Sequence, residues 1–464
     1  MSQLPTPTST PQRNLTLFDA SCVMVGIIIG SGIFETSPFI ASQVASPNQL
    51  IAVWLFGGVV ALLGALCYVE LATTYPQDGG DYVFLSRAFH PKFAFVFAWA
   101  EFWIIRPGNV GMMAFVFARY ANTLFELNVF DKPHYNAILY ACSAIVVLTA
   151  MNLIGVHTGK WTQNGLTVLK VLGLLSICAV GFFLSPAPPQ PASATATTSV
   201  DFRLAAILVL FTYGGWNELC YVAAEVSNPR KNIFRALVLG TITITAIYIL
   251  TNLAFLQTLG LQGLQASQAV AADVFRPTLG TFAAKAMSIV VCLSCLGAIN
   301  GMLFTGSRIY YKVGTEHRWF QWLGEWNHKH DTPTRALGIQ LAMTVAIIVG
   351  FGCYQSGENN SSGFERLFNF TAPVFWFFIL WVGVSLFVLR SSTGKHPQIF
   401  RIPFYPWTAI LFCLLCGFLL HASTTYAIAN ESREAIWAIG ILGVGILVGI
   451  FSPCQKQSKN PDIG

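Results

Sequence analysis

Two interruptions in otherwise apolar stretches are where this sequence could do chemistry. The first is "GIIIGSGIF", Gly26 to Phe34, which puts Gly30, Ser31 and Gly32 in the middle of the apolar segment Leu17 to Ile40. The second is "FTYGGWNELCYVAAEV", Phe211 to Val226, broken by Gly214 and Gly215. Unwinding a helix at membrane depth frees backbone N–H and C=O groups that lipid cannot satisfy, so it is tolerated only where they face protein or a watery cavity. A half-helix starting at Gly32 would offer free N–H groups and a positive dipole end, suited to an anion. One ending near Phe211 would offer free carbonyls, suited to an ammonium. A site with both is shaped for a zwitterion. Ser31 adds a hydroxyl donor, and glycine at 30, 32, 214 and 215 lets the backbone approach a ligand closely. The competing reading is that these glycines only pack helices tightly. Two breaks at corresponding places favour the binding site.

Ionisable residues inside apolar stretches come next. Lys170, in "TVLKVLG", lies deep in its span, where an uncompensated lysine costs roughly 2.5–3.5 kcal/mol; it needs acceptors, unless it snorkels to the inner surface. Arg106 and Glu101 share one span. Five residues apart on an α-helix they face different ways, so each is expected to find a partner on another helix. Glu218 follows Trp216 and Asn217; it could pair with an intramembrane cation, hold a cationic substrate group or carry a proton, pairing being preferred.

The elements that position these residues are membrane helices. Of 464 residues, 54% are hydrophobic and 10% charged, against roughly a quarter charged in soluble chains. Apolar stretches long enough to span a bilayer recur near 18–44, 48–74, 93–125, 135–154, 161–184, 203–225, 236–259, 281–311, 335–354, 364–390, 404–422 and 434–453. The expected fold is thus an all-α membrane protein of about twelve transmembrane helices. Lys and Arg concentrate in alternate loops, such as Arg87 and Lys92, Arg230 and Lys231, and Arg308 and Lys312. This positive-inside bias puts both termini in the cytoplasm, and it explains the net charge of +6 without nucleic acid. Residues 1–16 form a polar cytoplasmic tail without signal-peptide character. The Pro/Ala/Thr-rich stretch within 185–202 is an extracytoplasmic linker that cannot bury a core. It separates a first set of five helices, 17–184, from a second, 203–390. Two additional helices, 391–453, and a tail, 454–464, complete the chain. Spans 1 and 6, the broken ones, each open a set of five.

The pairs Cys292/Cys295 and Cys413/Cys416 have zinc-like spacing, but they lie in apolar helices without His or carboxylate neighbours and read as packing residues. His328-Lys329-His330 reads as a solvated loop. No metal or cofactor is expected. Sequons at Asn359, Asn360 and Asn430 fall in outer loops.

"GIIIGSGIF", "IIRP" at 104–107 and "YGGWN…AEVSNPRKNI" from Tyr213, taken in order, resemble the amino acid–polyamine–organocation superfamily. They are most similar to its L-type amino-acid transporter branch and prokaryotic relatives, as are "TTYPQDGGDYVFL" from Thr73, "LFNFTAPVFW" from Leu367 and "FRIPFYP" from Phe400. The resemblance implies a LeuT-like fold, a five-plus-five inverted repeat with two added C-terminal helices. It implies that Gly30, Ser31 and Gly32 hold a substrate carboxylate and that carbonyls at Ile28, Phe211 and Gly214 hold the amine. Gly215, Trp216 and Asn217 continue that break. Phe211 would gate the site, and Ile104, Ile105 and Trp376 would line the side-chain pocket. Lys170 stands where sodium-coupled relatives bind a cation, which implies sodium independence. Lys170 and Glu218 are the candidates for coupling. Glycine at 214 favours neutral substrates. The loop Glu126 to His134 has no cysteine, so no disulfide-linked partner subunit is expected.

The leading expectation is a secondary transporter of neutral L-amino acids in a cell membrane, working by alternating access, with exchange preferred on resemblance. Proton symport is the alternative. A non-transporting amino-acid sensor is a reading of another class, and it would want an output domain. No nucleophile with its base and no metal-ligand cluster argues for an enzyme.

Overall fold

The computed structural model describes residues 13–184, 201–267, 269–327, 329–353, 363–392, 400–429 and 433–452. Both tails' outer residues, most of the linker, His328 and the three sequons lie outside the described residues. The elements run α1 (Leu17–Ile28), α2 (Gly32–Ser42), α3 (Pro47–Thr74), α4 (Asp81–Ala88), α5 (Pro91–Ala100), a π turn (Glu101–Ile105) and α6 (Arg106–Leu124). They continue with α7 (Pro133–Ile154), α8 (Val156–Ala179), α9 (Phe202–Thr212), α10 (Glu218–Tyr221), α11 (Pro229–Ala266) and α12 (Val270–Glu316). The chain closes with α13 (Thr334–Cys353), α14 (Gly363–Ser392), α15 (Trp407–Ala429) and α16 (Arg433–Phe451). The β contacts among the described residues are two isolated bridges, Leu15 to Val226 and Asn327 to Thr332.

Local chemistry sets many of the starts. Pro47, Pro91, Pro133 and Pro229 each open a helix, where a missing N–H costs nothing and φ is preset. Thr16 caps α1 in a reciprocal box with Asp19, whose carboxylate accepts the Thr16 N–H at 2.9 Å. Asp19 also accepts from Asn164 at 2.7 Å and pairs with Lys160 at 3.3 Å, tying the start of α1 to α8.

Among the described residues nine helices are long and apolar enough to cross a membrane, or ten if α1 and α2, bent by 41° at their break, count together. Two further expected spans correspond to α5–π–α6, which runs on through its π turn, and to α9–α10, which is broken. Glycines set the ends of two others. The apolar spans expected at 236–259 and 281–311 stop and start at Gly260 (φ 67°) and Gly280 (φ 78°), where α11 and α12 kink. A left-handed residue turns the helix axis, so the apolar run and the straight segment end together.

The ends of the bundle differ. The loops rich in Lys and Arg gather at the end where residues 13–16 lie. There the Leu15 N–H donates to the Glu225 carbonyl at 2.9 Å and the Ser227 N–H to the Leu15 carbonyl at 2.8 Å. Arg308 pairs with Glu225 at 2.7 Å, and the Tyr82 hydroxyl donates to Glu316 at 2.7 Å. The Arg390 guanidinium meets Glu70, which also accepts the Ile402 N–H at 2.7 Å.

Candidate functional site

The two breaks face one another. Between α1 and α2 the chain turns at Ile29–Ser31, and the Gly30 N–H closes a tight turn on the Ile28 carbonyl at 2.8 Å. Between α9 and α10 it turns at Tyr213–Asn217, where Gly215 takes φ +115°. A Cβ added at Gly32 would sit 2.9 Å from Thr212 Cγ2, and one at Gly215 would meet Ile27 and Ile28 at 3.1 and 3.3 Å. Glycine is what lets the two unwound segments touch. The Tyr248 hydroxyl spans them, donating to the Ile28 carbonyl at 2.8 Å and leaning on the Thr212 carbonyl at 3.5 Å.

The broken helix is braced from behind. Lys170 is wholly buried, and its ammonium donates to the carbonyls of Gly26, Ile29 and Ser294 at 2.7, 2.7 and 2.8 Å. It does not snorkel: the acceptors left over by the end of α1 lie within its reach. The Ser294 hydroxyl donates to the Gly30 carbonyl at 2.9 Å. On the other side of the break the N–H groups of Ser31, Gly32 and Ile33 have no acceptor among the described residues, as the first turn of a helix leaves them. Ser31 is buried, and its hydroxyl has the Met113 sulfur, a weak acceptor, at 3.2 Å.

Between the breaks lies a cavity of about 80 Å³, on a measure where one water needs roughly 10–15 Å³. Of the residues expected at the site, Ile28, Gly30, Gly32, Phe211, Gly214, Gly215, Asn217, Glu218 and Trp376 line it. Phe211 stands edge-on to Phe368 and Phe364, with ring centres 5.0 and 6.1 Å away, linking the end of α9 to α14. The Phe211 carbonyl already accepts the Gly214 N–H at 3.0 Å.

Four residues expected to bind substrate, Ser31, Ile104, Ile105 and Trp216, do not line the cavity. Ile104 and Ile105 are buried in the π turn, and their helix reaches the cavity through Asn109 and Met113 instead. Trp216 turns outward: its indole packs where a Cβ on Gly64 of α3 would sit, 2.9 Å away. Asn217, the next residue, lines the cavity. Ser31 and Lys170 stand behind the lining. Sequence reasoning missed Ile27, Asn109, Met113, Thr212, Met302, Thr371, Ala372 and Phe375. Spacing could have suggested Asn109 with Met113, four residues apart, and likewise Thr371 with Phe375, since such pairs share a helix face.

The expectation that Glu101 and Arg106 do not pair is corrected. Their side chains meet, Arg106 Nε to Glu101 Oε2 at 3.1 Å. On an α-helix five residues leave about 140° between side chains. Here the Arg106 N–H bonds the Glu101 carbonyl, an i to i+5 bond that closes one wide turn over these five residues. Pro107, which cannot donate to the carbonyl four residues back, was the available signal. Arg106 Nη1 then donates to both oxygens of Glu218 at 2.8 Å, and the Thr305 hydroxyl donates to Glu218 Oε2.

Below the cavity, Asn217 donates to the Tyr221 hydroxyl at 2.9 Å, and that hydroxyl donates to Asp81 at the start of α4 at 2.7 Å. Burial pushes the Asp81 carboxyl up to about 7, against the pull of its hydrogen bonds. Asp78 moves the same way, by burial and then by the nearby Glu225 carboxylate. A carboxyl raised on folding binds its proton more tightly in the folded state, so stability falls as pH climbs from the ordinary carboxylate range to about 7. The melting temperature of the purified protein is therefore expected to drop over that window. Asp81→Asn should flatten part of the drop, and an unchanged slope would argue against a buried neutral Asp81.

Two facing helix breaks beside a cavity, in a bundle of apolar spans, are the features of a multi-pass membrane protein. The chain belongs to the amino acid permease family, whose model matches residues 15–447. It is 30% identical over 413 residues to the b(0,+)-type amino acid transporter 1 of Mus musculus, covering 88% of this chain and 82% of that one. It is 30% identical to the large neutral amino acids transporter small subunit 2 of Rattus norvegicus over 422 residues, 88% and 75% of the two chains. To the cystine/glutamate transporter of Homo sapiens it is 29% identical over 417 residues, 89% and 80%. These relatives are transporters, not enzymes.

Proposed function

We propose that this chain is a sodium-independent secondary transporter that exchanges neutral L-amino acids across a cell membrane by alternating access. The observation that carries the reading is the pair of facing breaks: N–H groups at Ser31, Gly32 and Ile33 without an acceptor among the described residues at the start of α2, where Gly30 and Gly32 line the cavity, and the carbonyl end of α9 across from them. That arrangement suits the carboxylate and ammonium of an amino acid, the solute class of the relatives' names. The Lys170 ammonium, seated on carbonyls of the broken helix, supports independence from sodium. Gly214 and the apolar wall of Met113, Met302, Phe211 and Phe375 support a neutral side chain. A LeuT-like fold of twelve spans, five plus five with two added, accommodates both broken spans as the first of each repeat. With both termini cytoplasmic, the contacts around Leu15, Glu225 and Arg308 close the inner side, one of the two states alternating access requires.

The test is uptake of labelled amino acids into liposomes carrying the purified protein. Internal neutral amino acid should be required, and sodium should be without effect. Ser31→Ala should cost about five- to tenfold in uptake, the worth of one hydrogen bond of ~1 kcal/mol, and Phe211→Ala should slow it further. Uptake into empty vesicles driven by inward protons would replace exchange by symport. Binding without any transport would favour a sensor.

A further inference from the structure

The mutual arrangement of Glu101, Arg106 and Glu218 has a charge imbalance. One guanidinium lies between two carboxylates, Nε on Glu101 at 3.1 Å and Nη1 on Glu218 at 2.8 Å. All three are almost wholly buried, at 2%, 1% and 6% exposure. Among the described residues, the groups packed around them bring no second cation. From α10 come the Tyr221 ring, with Arg106 5.4 Å from its centre, and the buried Cys220. From α12 come Thr305 and the Tyr310 hydroxyl, which donates to the Glu101 carbonyl at 3.3 Å. From α13 comes the Gln340 amide. Asp81 and Tyr68, beyond Tyr221 and Asn217, add acids only. Arg308 is committed to Glu225, and Lys170 to the carbonyls behind α1.

The cluster is also incomplete on the protein's own atoms. Among the described residues, Arg106 Nη2 is buried without an acceptor, and Gln340 Oε1 without a donor. The two side chains are close: a Cβ on Gly306 would sit 2.8 Å from both Arg106 Nε and Gln340 Nε2. Of the three charged residues, Glu218 is the one that lines the cavity.

We propose that Glu101, Arg106 and Glu218 form a one-proton site in the cavity wall, and that its occupancy selects the charge of the substrate side chain. With every carboxyl ionised the cluster is one negative charge in excess, which low-dielectric surroundings penalise heavily. Two carboxyls competing for one cation hold a proton between them as a unit. When that proton is bound, the wall is neutral and a neutral side chain fits. When it leaves to water, the wall carries one surplus negative charge, which a cationic side chain such as that of lysine balances. This inference rests on the amino-acid transport reading above and extends its substrates to cationic amino acids at alkaline pH.

The experiment measures the ratio of lysine to leucine exchange in liposomes between pH 6 and pH 8.5, equal on both sides. In the wild-type protein the ratio should rise with pH, by up to about tenfold per unit where the site titrates, because one proton is traded for one cation. Glu218→Gln and Glu101→Gln each restore a one-to-one charge balance. Both should give a flat ratio with little lysine exchange, and in Glu101→Gln, whose side chain does not line the cavity, leucine exchange should persist. The second variant keeps the test open if the first misfolds, since Glu101 does not line the cavity. A wild-type ratio that does not change with pH, with leucine exchanged normally, would overturn the proton site and leave the transporter reading intact. A pH-dependent ratio that survives in either variant would also overturn it. Failure to exchange any amino acid at any pH would instead refute the transporter reading.

Discussion

Lys170→Met is expected to reduce amino-acid exchange more than tenfold and to lower the melting temperature. Methionine keeps most of the volume of lysine, so the loss reports the ammonium rather than a hole. Three buried carbonyls, those of Gly26, Ile29 and Ser294, lose the ammonium at once. A buried acceptor left without a donor costs about 1–3 kcal/mol. The Ser294 carbonyl keeps its intrahelical donor in α12 and the Ser294 hydroxyl is given to Gly30 at 2.9 Å, so the damage is greatest at Gly26 and Ile29. The effect on exchange follows because Gly26 and Ile29 flank the end of α1, which fixes where the free N–H groups of α2 point. Gly297 supplies a second test. A Cβ there would meet the Lys170 nitrogen at 2.8 Å, so Gly297→Ala should displace the ammonium and weaken exchange in the same direction. Exchange at wild-type rates in Lys170→Met, measured at matched protein levels, would remove the lysine from the mechanism.

Arg106→Gln is expected to cost more in stability than any other single change in the site. It leaves Glu101 and Glu218 buried with no cation, and breaking a buried pair by deleting one partner costs about 3–5 kcal/mol. Arg106→Lys should rescue little. The guanidinium serves Glu101 through Nε and Glu218 through Nη1, and a single ammonium cannot reproduce that fork. Adding Glu218→Gln to Arg106→Gln should recover part of the lost stability, because an unpaired charge is removed. Thermal unfolding of the two single variants and the double variant measures this. Additive losses would mean that the pair is not coupled.

The amino-acid order by itself determined the helical class, the alternating placement of basic loops and the two broken spans. Each rests on short-range chemistry. Lipid forbids unsatisfied backbone, so a glycine cluster within an apolar run signals a break wherever the rest of the chain lies. Gly30, Gly32, Gly214 and Gly215 could be singled out for that reason, and they do line one cavity. Lys170 was legible as an anomaly, because a cation at that depth must find acceptors, and the structure shows the broken helix supplying them. Tertiary structure alone decided where side chains point after the backbone departs from an α-helix. After the break at Gly214 and Gly215, Trp216 packs against α3 while Asn217 lines the cavity. One extra residue in the turn Glu101–Ile105 brings together Glu101 and Arg106, which helical periodicity sets apart. It likewise decided which faces of α6, α12 and α14 close the cavity, since Asn109, Met302 and Thr371 meet only when distant spans pack. Periodicity reports the face of a regular helix, and at these points the helices are not regular.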